Sequence, residues 1–230
     1  MVEIVKFEEI SYGIYWIEYE DGRSFLVTKN LTPGKTVYDE KVIKYNGVEY
    51  RAWSPYRSKL AAAIYNKMSI IPISKGMKVL YLGIASGTTA SHISDIIGNE
   101  GIIYGIEFAQ RPIRDLIKVA EARKNIVPLL KDARKPNEYA FIAEGVDLLY
   151  EDVAQPFQSE IFIKNAKAFL KKTGTGLIAI KARSIDVTKP PEEIFKEQKE
   201  IIENAGFKVE EEVELDPYSK DHVMFRIRFA

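Results

Sequence analysis

Val79-Leu-Tyr-Leu-Gly-Ile-Ala-Ser-Gly-Thr-Thr-Ala-Ser-His92 is the stretch of this sequence that decides its fold. Residues 79–82 have the composition of a buried strand, and they lead into a turn that contains Gly83 and Gly87. A helical pattern begins directly behind this turn. Glycines let the backbone approach a ligand closely, and the free N–H groups at a helix start favour polar or anionic groups. The stretch is typical of a parallel strand that leads into a nucleotide-binding loop, although an ordinary strand-to-helix turn has the same outline.

Strands and helices alternate on the carboxyl-terminal side of this loop. Such alternation predicts βαβ units and a parallel sheet that is covered on both faces. The predicted strands are 78–83, 102–107, 126–130, 146–150 and 176–181. The predicted helices are 88–97, 112–124, 136–143, 159–172 and 191–205. Two further β-like runs, 207–215 and 223–229, indicate an antiparallel hairpin at one edge of the sheet.

The first part of the chain has a different pattern. Asp21-Gly22 and Asn46-Gly47 each lie between two runs of strand-forming residues, which is a strong hairpin signal because both turn residues tolerate positive φ. A helix is predicted over 58–68. We therefore expect a small antiparallel β domain over 1–55, serving in packing or in partner docking, and a larger α/β domain over 56–230.

The composition excludes several classes of site. The chain has no cysteine and two histidines, so disulfides, thiolate chemistry and multi-histidine metal sites are excluded, and we expect no metal. The 33 basic and 33 acidic residues cancel, so any face for nucleic acid must be local. No apolar run approaches the roughly 20 residues that cross a membrane, and the first residues lack the pattern of a signal peptide. We expect a cytoplasmic protein.

The predicted strand 102–107, the first one after the glycine loop, ends in a candidate ligand-binding carboxylate. An acidic residue in the place of Glu107 commonly accepts hydrogen bonds from the ribose hydroxyls of an adenosine cofactor. This holds for a nicotinamide dinucleotide and for S-adenosylmethionine alike. A dinucleotide loop has the pattern G-x-G-x-x-G, whereas the loop after residue 82 has two glycines and a threonine in the third place. A ligand without a pyrophosphate therefore fits better.

Polar residues also follow the later strands. Asp132-Ala133 comes after the third strand, where a carboxylate can bind the amino group of an adenine, although a lone Asp there is also a common helix cap. Lys181 ends the fifth strand, and a buried lysine needs a partner. Asp152, after the neighbouring fourth strand, is its predicted partner, and a purely structural ion pair is the alternative.

Five segments together resemble the fibrillarin family. They are Tyr-Leu-Gly-Ile-Ala-Ser-Gly-Thr-Thr (81–89), Gly-Ile-Glu-Phe (105–108), Glu-Asp-Val-Ala-Gln-Pro (151–156), Ile-Lys-Ala-Arg-Ser-Ile-Asp-Val-Thr (180–188) and Tyr-Ser-Lys-Asp-His (218–222). The likeness covers essentially the whole chain and is to the archaeal form. It implies the α/β fold of class I S-adenosylmethionine-dependent methyltransferases, with a mostly parallel seven-stranded sheet that has one antiparallel edge strand.

The resemblance also implies an activity and partners. Members transfer methyl from S-adenosylmethionine to the ribose 2′-hydroxyl of rRNA and tRNA. They act in box C/D ribonucleoproteins, where a guide RNA selects the target RNA, beside a Nop-domain scaffold protein and a kink-turn-binding protein of ribosomal type. Such partners would explain how a neutral chain acts on RNA.

Site residues follow from the same resemblance. The catalytic set is Lys59, Asp152, Lys181 and His222. Lys181 is expected nearest the reacting hydroxyl, with Asp152 orienting it, Lys59 adding positive potential and His222 as an orienting donor. The predicted cofactor-binding residues are Gly83, Ala85, Ser86, Gly87, Thr88, Thr89, Glu107, Phe108, Asp132, Ala133, Asp152, Val153, Ala154 and Gln155.

Two other functions remain open at this point. A methyltransferase for a small molecule or a protein side chain would use the same cofactor loop, but it would not need the four catalytic residues. A degenerate methyltransferase fold that serves as a scaffold subunit would be expected to have lost some of these residues, and none is lost.

Overall fold

The structure is a computed structural model that describes residues 3–142 and 145–230. A five-stranded antiparallel sheet comes first, with the strand order β1-β2-β3-β5-β4. Its strands are β1 (Ile4–Ser11), β2 (Ile14–Tyr19), β3 (Ser24–Lys29), β4 (Val42–Tyr45) and β5 (Val48–Ala52). Both predicted hairpins are confirmed, because β2 pairs with β3 and β4 pairs with β5. The turn residues Asn46 and Gly47 both have positive φ, as such a turn requires.

The aromatic residues of this small sheet mostly pack against one another. Phe7 stacks on Tyr45 with ring centroids 4.5 Å apart, and it meets Tyr50 edge to face. Trp53, just after β5, is buried against His92 with centroids 4.8 Å apart. The predicted packing role is therefore confirmed, whereas partner docking stays a prediction.

A seven-stranded sheet forms the centre of the larger part. Its strand order is β11-β12-β10-β9-β6-β7-β8. The strands are β6 (Lys78–Leu82), β7 (Ile102–Glu107), β8 (Ile126–Leu130), β9 (Val146–Glu151), β10 (Leu170–Lys181), β11 (Phe207–Glu214) and β12 (His222–Phe229). The predicted fold class and the predicted edge hairpin are confirmed. The antiparallel strand is β12, which pairs with β10 on one side and with the outermost strand β11 on the other.

One strand is longer than the sequence indicates. β10 begins at Leu170, which pairs with Val146, and a register shift follows before Thr175. Residues 171–173 between these two pairs are polar, so the sequence there resembles the end of a helix rather than a strand. The predicted helix 159–172 accordingly ends at Phe169.

Helices cover both faces of the large sheet. They are α1 (Lys59–Tyr65), α2 (Thr88–Ile97), α3 (Gln110–Ala122), α4 (Gln158–Phe169), α5 (Ala182–Ile185) and α6 (Pro191–Asn204), with a 3-10 helix over Pro136–Ile142. The last residue of the predicted helix 136–143 lies outside the described residues. α1, α2 and α3 pack on one face together with the small sheet, and α4 and α6 pack on the other. Among the described helices, none has the length and apolar character to cross a membrane.

Buried charges join the small sheet to the larger part. Arg51 of β5 contacts Glu40 at 2.5 Å and Asp95 of α2 at 2.8 Å, and Arg123 contacts Asp95 at 2.5 Å. All four side chains are at most 1% exposed. We call these four residues the buried ion cluster. The two sheets therefore share an interior, and the boundary at residue 55 stays a prediction.

The strand order also locates the point where a ligand is expected. From β6 the chain passes to β7 on one side of it, and β9 lies on the other side. In open α/β sheets, ligands bind at the carboxyl ends of the strands where the order reverses in this way. The loops after β6, β7, β8 and β9 meet there.

Candidate functional site

A groove of about 300 Å³ lies at this edge of the sheet. Its walls come from the loops that follow β6, β7, β8 and β9, as the positions of the predicted ligand residues require. Ten of the predicted cofactor-binding residues line it: Gly83, Ala85, Glu107, Phe108, Asp132, Ala133, Asp152, Val153, Ala154 and Gln155.

The rest of the glycine loop lies off the walls of this groove. Ser86 lines a neighbouring groove instead. Gly87 faces α3, since a Cβ there would lie 2.8 Å from a methyl group of Leu116. The Thr89 hydroxyl donates to the Ser58 hydroxyl at 2.9 Å. The cofactor contacts of Ser86, Gly87, Thr88 and Thr89 stay predictions.

Gly83 is a position that needs glycine. Its φ is +75°, and a Cβ would lie 2.5 Å from the carbonyl oxygen of Asp152. The loops after β6 and β9 therefore approach each other more closely than any side chain at residue 83 would permit. This approach forms one wall of the groove.

Glu107 is buried, with 7% of its surface exposed, and its carboxylate organises the loop. One oxygen accepts from the backbone N–H of Ala85 at 3.0 Å, and the other accepts from that of Ala109 at 2.8 Å. Ala85 has a φ of +52°, a strained conformation for a residue with a Cβ. A carboxylate offers about four acceptor positions, so Glu107 can also accept from two vicinal hydroxyls.

Two other predicted residues frame the far end of the groove. Arg134 donates to both carboxylate oxygens of Asp132 at 2.7–3.0 Å, and this hydrogen bonding lowers the pKa of Asp132. The carboxylate is therefore ionised and retains acceptor capacity toward an amino group. Phe108 is 66% exposed, so its ring is free to pack on a planar ligand.

The predicted partner of Asp152 was wrong. Its two carboxylate oxygens accept from the ammonium group of Lys59 at 2.7 and 2.8 Å, not from Lys181. Lys59 is the first residue of α1, and Ser58 caps that helix. Because Thr89 at the start of α2 donates to Ser58, the two helix starts are tied together and hold Lys59 above the loop after β9. Neighbouring strand ends had suggested Lys181, but they do not determine which side chain the carboxylate faces.

Lys181 and His222 complete the cluster. They lie opposite each other in the ladder between β10 and β12. Across residues 3–142 and 145–230, the Lys181 ammonium has no carboxylate partner. The charges of Lys59, Asp152 and Lys181 all act on His222. The structure therefore brings all four predicted catalytic residues together beside the groove.

His222 is a neutral ring at neutral pH. Burial lowers its pKa, the positive charges of Lys59 and Lys181 lower it further, and the Lys220 carbonyl and Asp152 oppose these effects. The Nδ1 atom lies 2.6 Å from the Lys220 carbonyl oxygen. A carbonyl can only accept, so Nδ1 carries the proton and Nε2 is an acceptor.

Gln158, at the start of α4, is a residue that the sequence analysis missed. It is fully buried. Its side-chain oxygen accepts from the backbone N–H of Lys181 at 2.8 Å, and its amide nitrogen donates to the Lys181 carbonyl at 3.2 Å and to the Gln155 carbonyl at 2.8 Å. One amide thus joins the wall of the groove to the backbone of Lys181. In the sequence it looks like an ordinary polar residue at a helix start.

Comparison with known proteins gives consistent results. The family model described as Fibrillarin matches residues 5–230. A relative from Methanocaldococcus jannaschii, named fibrillarin-like rRNA/tRNA 2′-O-methyltransferase, is 56% identical over 224 residues, which cover 97% of this chain and 97% of the relative.

Two solved structures are similar over almost the whole chain. Aeropyrum pernix fibrillarin in complex with natively bound S-adenosyl-L-methionine has a TM-score of 0.90 and 51% identity, covering 99% of this chain and 100% of that one. A fibrillarin/Nop5p complex has a TM-score of 0.86 and 43% identity, covering 97% of this chain and 100% of that one.

Proposed function

Because this chain belongs to the fibrillarin family, we propose that it is the catalytic subunit of a box C/D ribonucleoprotein, in which a guide RNA selects the ribose to be methylated. The chain is an S-adenosylmethionine-dependent 2′-O-methyltransferase of rRNA and tRNA. The observation that carries the proposal is the meeting of the ligand groove with the Lys59, Asp152, Lys181 and His222 cluster at one sheet edge. A scaffold protein or a small-molecule methyltransferase would have no use for that cluster.

The residues of the groove fit the cofactor. Glu107 has acceptor positions for the two ribose hydroxyls, and the exposed ring of Phe108 offers a face for the adenine. Asp132 offers an acceptor for the adenine amino group. The missing side chain at Gly83 lets the loops after β6 and β9 approach each other, and this approach forms one wall of the groove. When bound, S-adenosylmethionine supplies a methyl group activated by a positively charged sulfur.

The chain's own residues must then activate a poor nucleophile. A ribose hydroxyl loses its proton with difficulty at neutral pH, so a base and a nearby positive charge are needed. Lys181 supplies positive charge that stabilises the developing oxyanion. Lys59 neutralises and fixes Asp152, which keeps that carboxylate from pairing with Lys181. His222 was expected to act as an orienting donor, but its N–H is taken by Lys220, so its Nε2 atom is the proton acceptor in this mechanism.

The partners belong to the same proposal. A Nop-domain protein and RNA substrates are supported by the complex and the relative described above. The guide RNA and a kink-turn-binding protein of ribosomal type follow from the family's motifs. We propose that the protein acts in the cytoplasm.

Reconstitution of the particle tests this function. The chain is combined with the Nop-domain protein, the kink-turn-binding protein, a guide RNA and a substrate RNA, and incorporated methyl groups are mapped to single nucleotides. Methylation of the guide-selected ribose is expected. A complete particle that binds S-adenosylmethionine yet transfers no methyl group would favour the scaffold alternative.

Replacement of Glu107 tests the cofactor contacts. Glu107→Ala removes the acceptors for the ribose hydroxyls, and we expect S-adenosylmethionine to bind more weakly by roughly 1–3 kcal/mol, or about 5- to 150-fold in Kd. Glu107→Gln keeps the shape of the side chain and should lose less. Calorimetry measures both, and Glu100→Ala, which removes an exposed carboxylate that pairs with Lys75, is the matched control. Equal affinity of all three variants would refute the assignment.

The proposed role of His222 predicts a pH dependence. Its pKa is lowered from 6.5, so the ring stays neutral and able to accept a proton down to and below that pH. The midpoint of the acidic decline in the single-turnover rate of methyl transfer should therefore lie below pH 6.5. His222→Gln should be slow at every pH and should lack this acidic decline. An unchanged acidic decline in that variant would assign the titration to another group.

A further inference from the structure

The ladder between β9 and β10 stops short of the catalytic end of β10. Its last pair joins Glu151 to Ile178. On the other side of β10, the pairing with β12 continues as far as Lys181. The N–H of the next residue, Ala182, donates to the Asp221 carbonyl on that side at 3.1 Å. Because the backbone groups of neighbouring residues in a strand point to opposite sides, the N–H and carbonyl of Lys181 face the side where β9 has ended.

The side chain of Gln158 takes the place of the missing strand there. Gln158 belongs to α4 and is fully buried. Its oxygen accepts from the Lys181 N–H at 2.8 Å, and its nitrogen donates to the Lys181 carbonyl at 3.2 Å. A side-chain amide offers a donor and an acceptor, as a peptide unit does, so it extends the ladder by one unit. Without it, two backbone groups of the half-buried Lys181 would lose their partner.

The same amide also reaches the wall of the cofactor groove. Its nitrogen donates a second hydrogen bond to the Gln155 carbonyl at 2.8 Å. Gln155 lines the groove and belongs to the loop after β9, which also carries Asp152. One buried side chain therefore holds the end of β10 and this loop in a set position relative to each other.

We propose that Gln158 is a positioning residue for methyl transfer, which keeps the backbone of Lys181 at a set distance from the cofactor loop. The ammonium group of Lys181 then reaches the ribose from the correct starting point. The lysine stem is flexible and can compensate part of a backbone movement, but only by adopting less favoured side-chain conformations. The effect of Gln158 on the rate is therefore smaller than that of the ammonium group itself. The inference rests on the proposed function, because it requires Lys181 to act on the reacting ribose.

Gln158→Leu tests this role, because leucine is an apolar side chain that forms none of the three hydrogen bonds. In the reconstituted particle at saturating S-adenosylmethionine, we expect the single-turnover rate of methyl transfer to fall about 10-fold, less than the roughly 10²-fold that a misplacement of about 1 Å can cost. The Kd values for the cofactor and the substrate RNA should remain close to those of the wild type. Gln158→Glu keeps an acceptor for the Lys181 N–H and should lose less activity, and it replaces Gln158→Leu in every measurement if the latter does not fold.

A double-mutant cycle with Lys181→Ala separates positioning from structural damage. If Gln158 acts through Lys181, Gln158→Leu should change the rate by less than about 2-fold once the ammonium group is absent, because mutations that act through one group are not additive. An equal loss of rate with and without the ammonium group would overturn the inference.

Gln198→Leu is the matched control. Gln198 is a buried amide of α6, and its oxygen accepts at 2.7 Å from the hydroxyl of Ser159, the neighbour of Gln158 in α4. Its replacement should lower the urea midpoint of unfolding, as Gln158→Leu does, but should leave the rate of methyl transfer unchanged. An equal loss of rate in both variants would show that any damage to this layer slows the enzyme, and the inference would be wrong.

Hydrogen exchange of the whole chain, followed by NMR, measures the hold on the backbone directly. The Lys181 amide should exchange faster in Gln158→Leu than in the wild type, whereas the Ala182 amide, which donates to Asp221, should not change. Unchanged exchange at Lys181 would overturn the inference. A loss confined to the Kd for S-adenosylmethionine would also overturn it, because Gln158 would then act through Gln155 alone.

Failure of the proposed function would look different from failure of this inference. The former would appear as a wild-type particle that transfers no methyl group, or as a normal rate in Lys181→Ala, and either result would remove the role of Gln158 as well. The inference alone fails when the wild type is active and Lys181→Ala is slow, but Gln158→Leu transfers methyl at the wild-type rate.

Discussion

Lys181→Ala is expected to slow methyl transfer by about 10²–10³-fold, the usual effect of removing one group that stabilises a developing oxyanion. The physical reason is the placement of its charge. The Lys181 ammonium lacks a carboxylate partner in the described part of the chain, and Gln158 holds its backbone on both sides. An ammonium group without a paired carboxylate stabilises an oxyanion well, because little of its field is cancelled. Single-turnover assays with guide-paired RNA measure the effect.

Two further variants show whether the charge of Lys181 causes the loss of rate. Lys181→Arg keeps the charge and should retain more activity than Lys181→Ala. Lys164→Ala removes an exposed lysine of α4 and should be indistinguishable from the wild type. Cofactor affinity and particle assembly should be unchanged in all of them. A rate near that of the wild type in Lys181→Ala would remove this residue from the mechanism.

The second large effect is expected in stability rather than in rate. Asp95→Ala should lower the free energy of unfolding by about 3–5 kcal/mol, the cost of leaving buried charge without its partner. Asp95 is shared by the guanidinium groups of Arg51 and Arg123, and it also accepts from the backbone N–H of Leu31 at 2.9 Å and from the Thr28 hydroxyl at 2.8 Å. Removing it leaves all four donors short of an acceptor.

Urea unfolding, followed with two independent probes, measures this change in the free energy of unfolding. Asp21→Asn is the matched control, since Asp21 pairs with Arg23 on the surface and exposed pairs contribute at most about 1 kcal/mol. A loss below about 1 kcal/mol in Asp95→Ala would mean that water or rearranged side chains compensate the two arginines. In that case, the two sheets would be less strongly coupled than the structure indicates.

The fold was predictable because its signals are local. Residues 79–82 followed by Gly83 identify a buried strand and a close turn without knowledge of any distant residue. The same is true of the hairpin turns at Asp21-Gly22 and Asn46-Gly47, where conformation depends on the turn residues alone. β10 was less predictable, since its polar first half gives no alternation to detect.

The site was predictable only up to the choice of partners. Strand ends brought Asp152, Lys181 and Glu107 to one edge of the sheet, as expected. The partner of Asp152 depends instead on where α1 begins, and Lys59 lies 93 residues away in sequence. Gln158 acts through backbone atoms of two other residues, which no pattern of side-chain types reveals.

The small sheet shows a different limit of sequence analysis. Glu40, Arg51, Asp95 and Arg123 look like ordinary surface charges in the sequence, because buried charges are rare and have no periodic signature. The sequence therefore predicted a small β domain without indicating how it is attached, and the structure gives a sheet whose interior is continuous with α2 and α3. The sequence predicted that the small sheet packs against the larger part, but it did not predict the buried charges that join the two.

The buried ion cluster also has a consequence for heat. The hydration of charged groups becomes less favourable as temperature rises, so the cost of keeping these four side chains out of water falls. Hydrophobic stabilisation per unit area levels off over the same range. The junction between the two sheets therefore gains relative importance on warming, and the stability difference between the wild type and the Asp95 variant, compared at two temperatures, measures that gain.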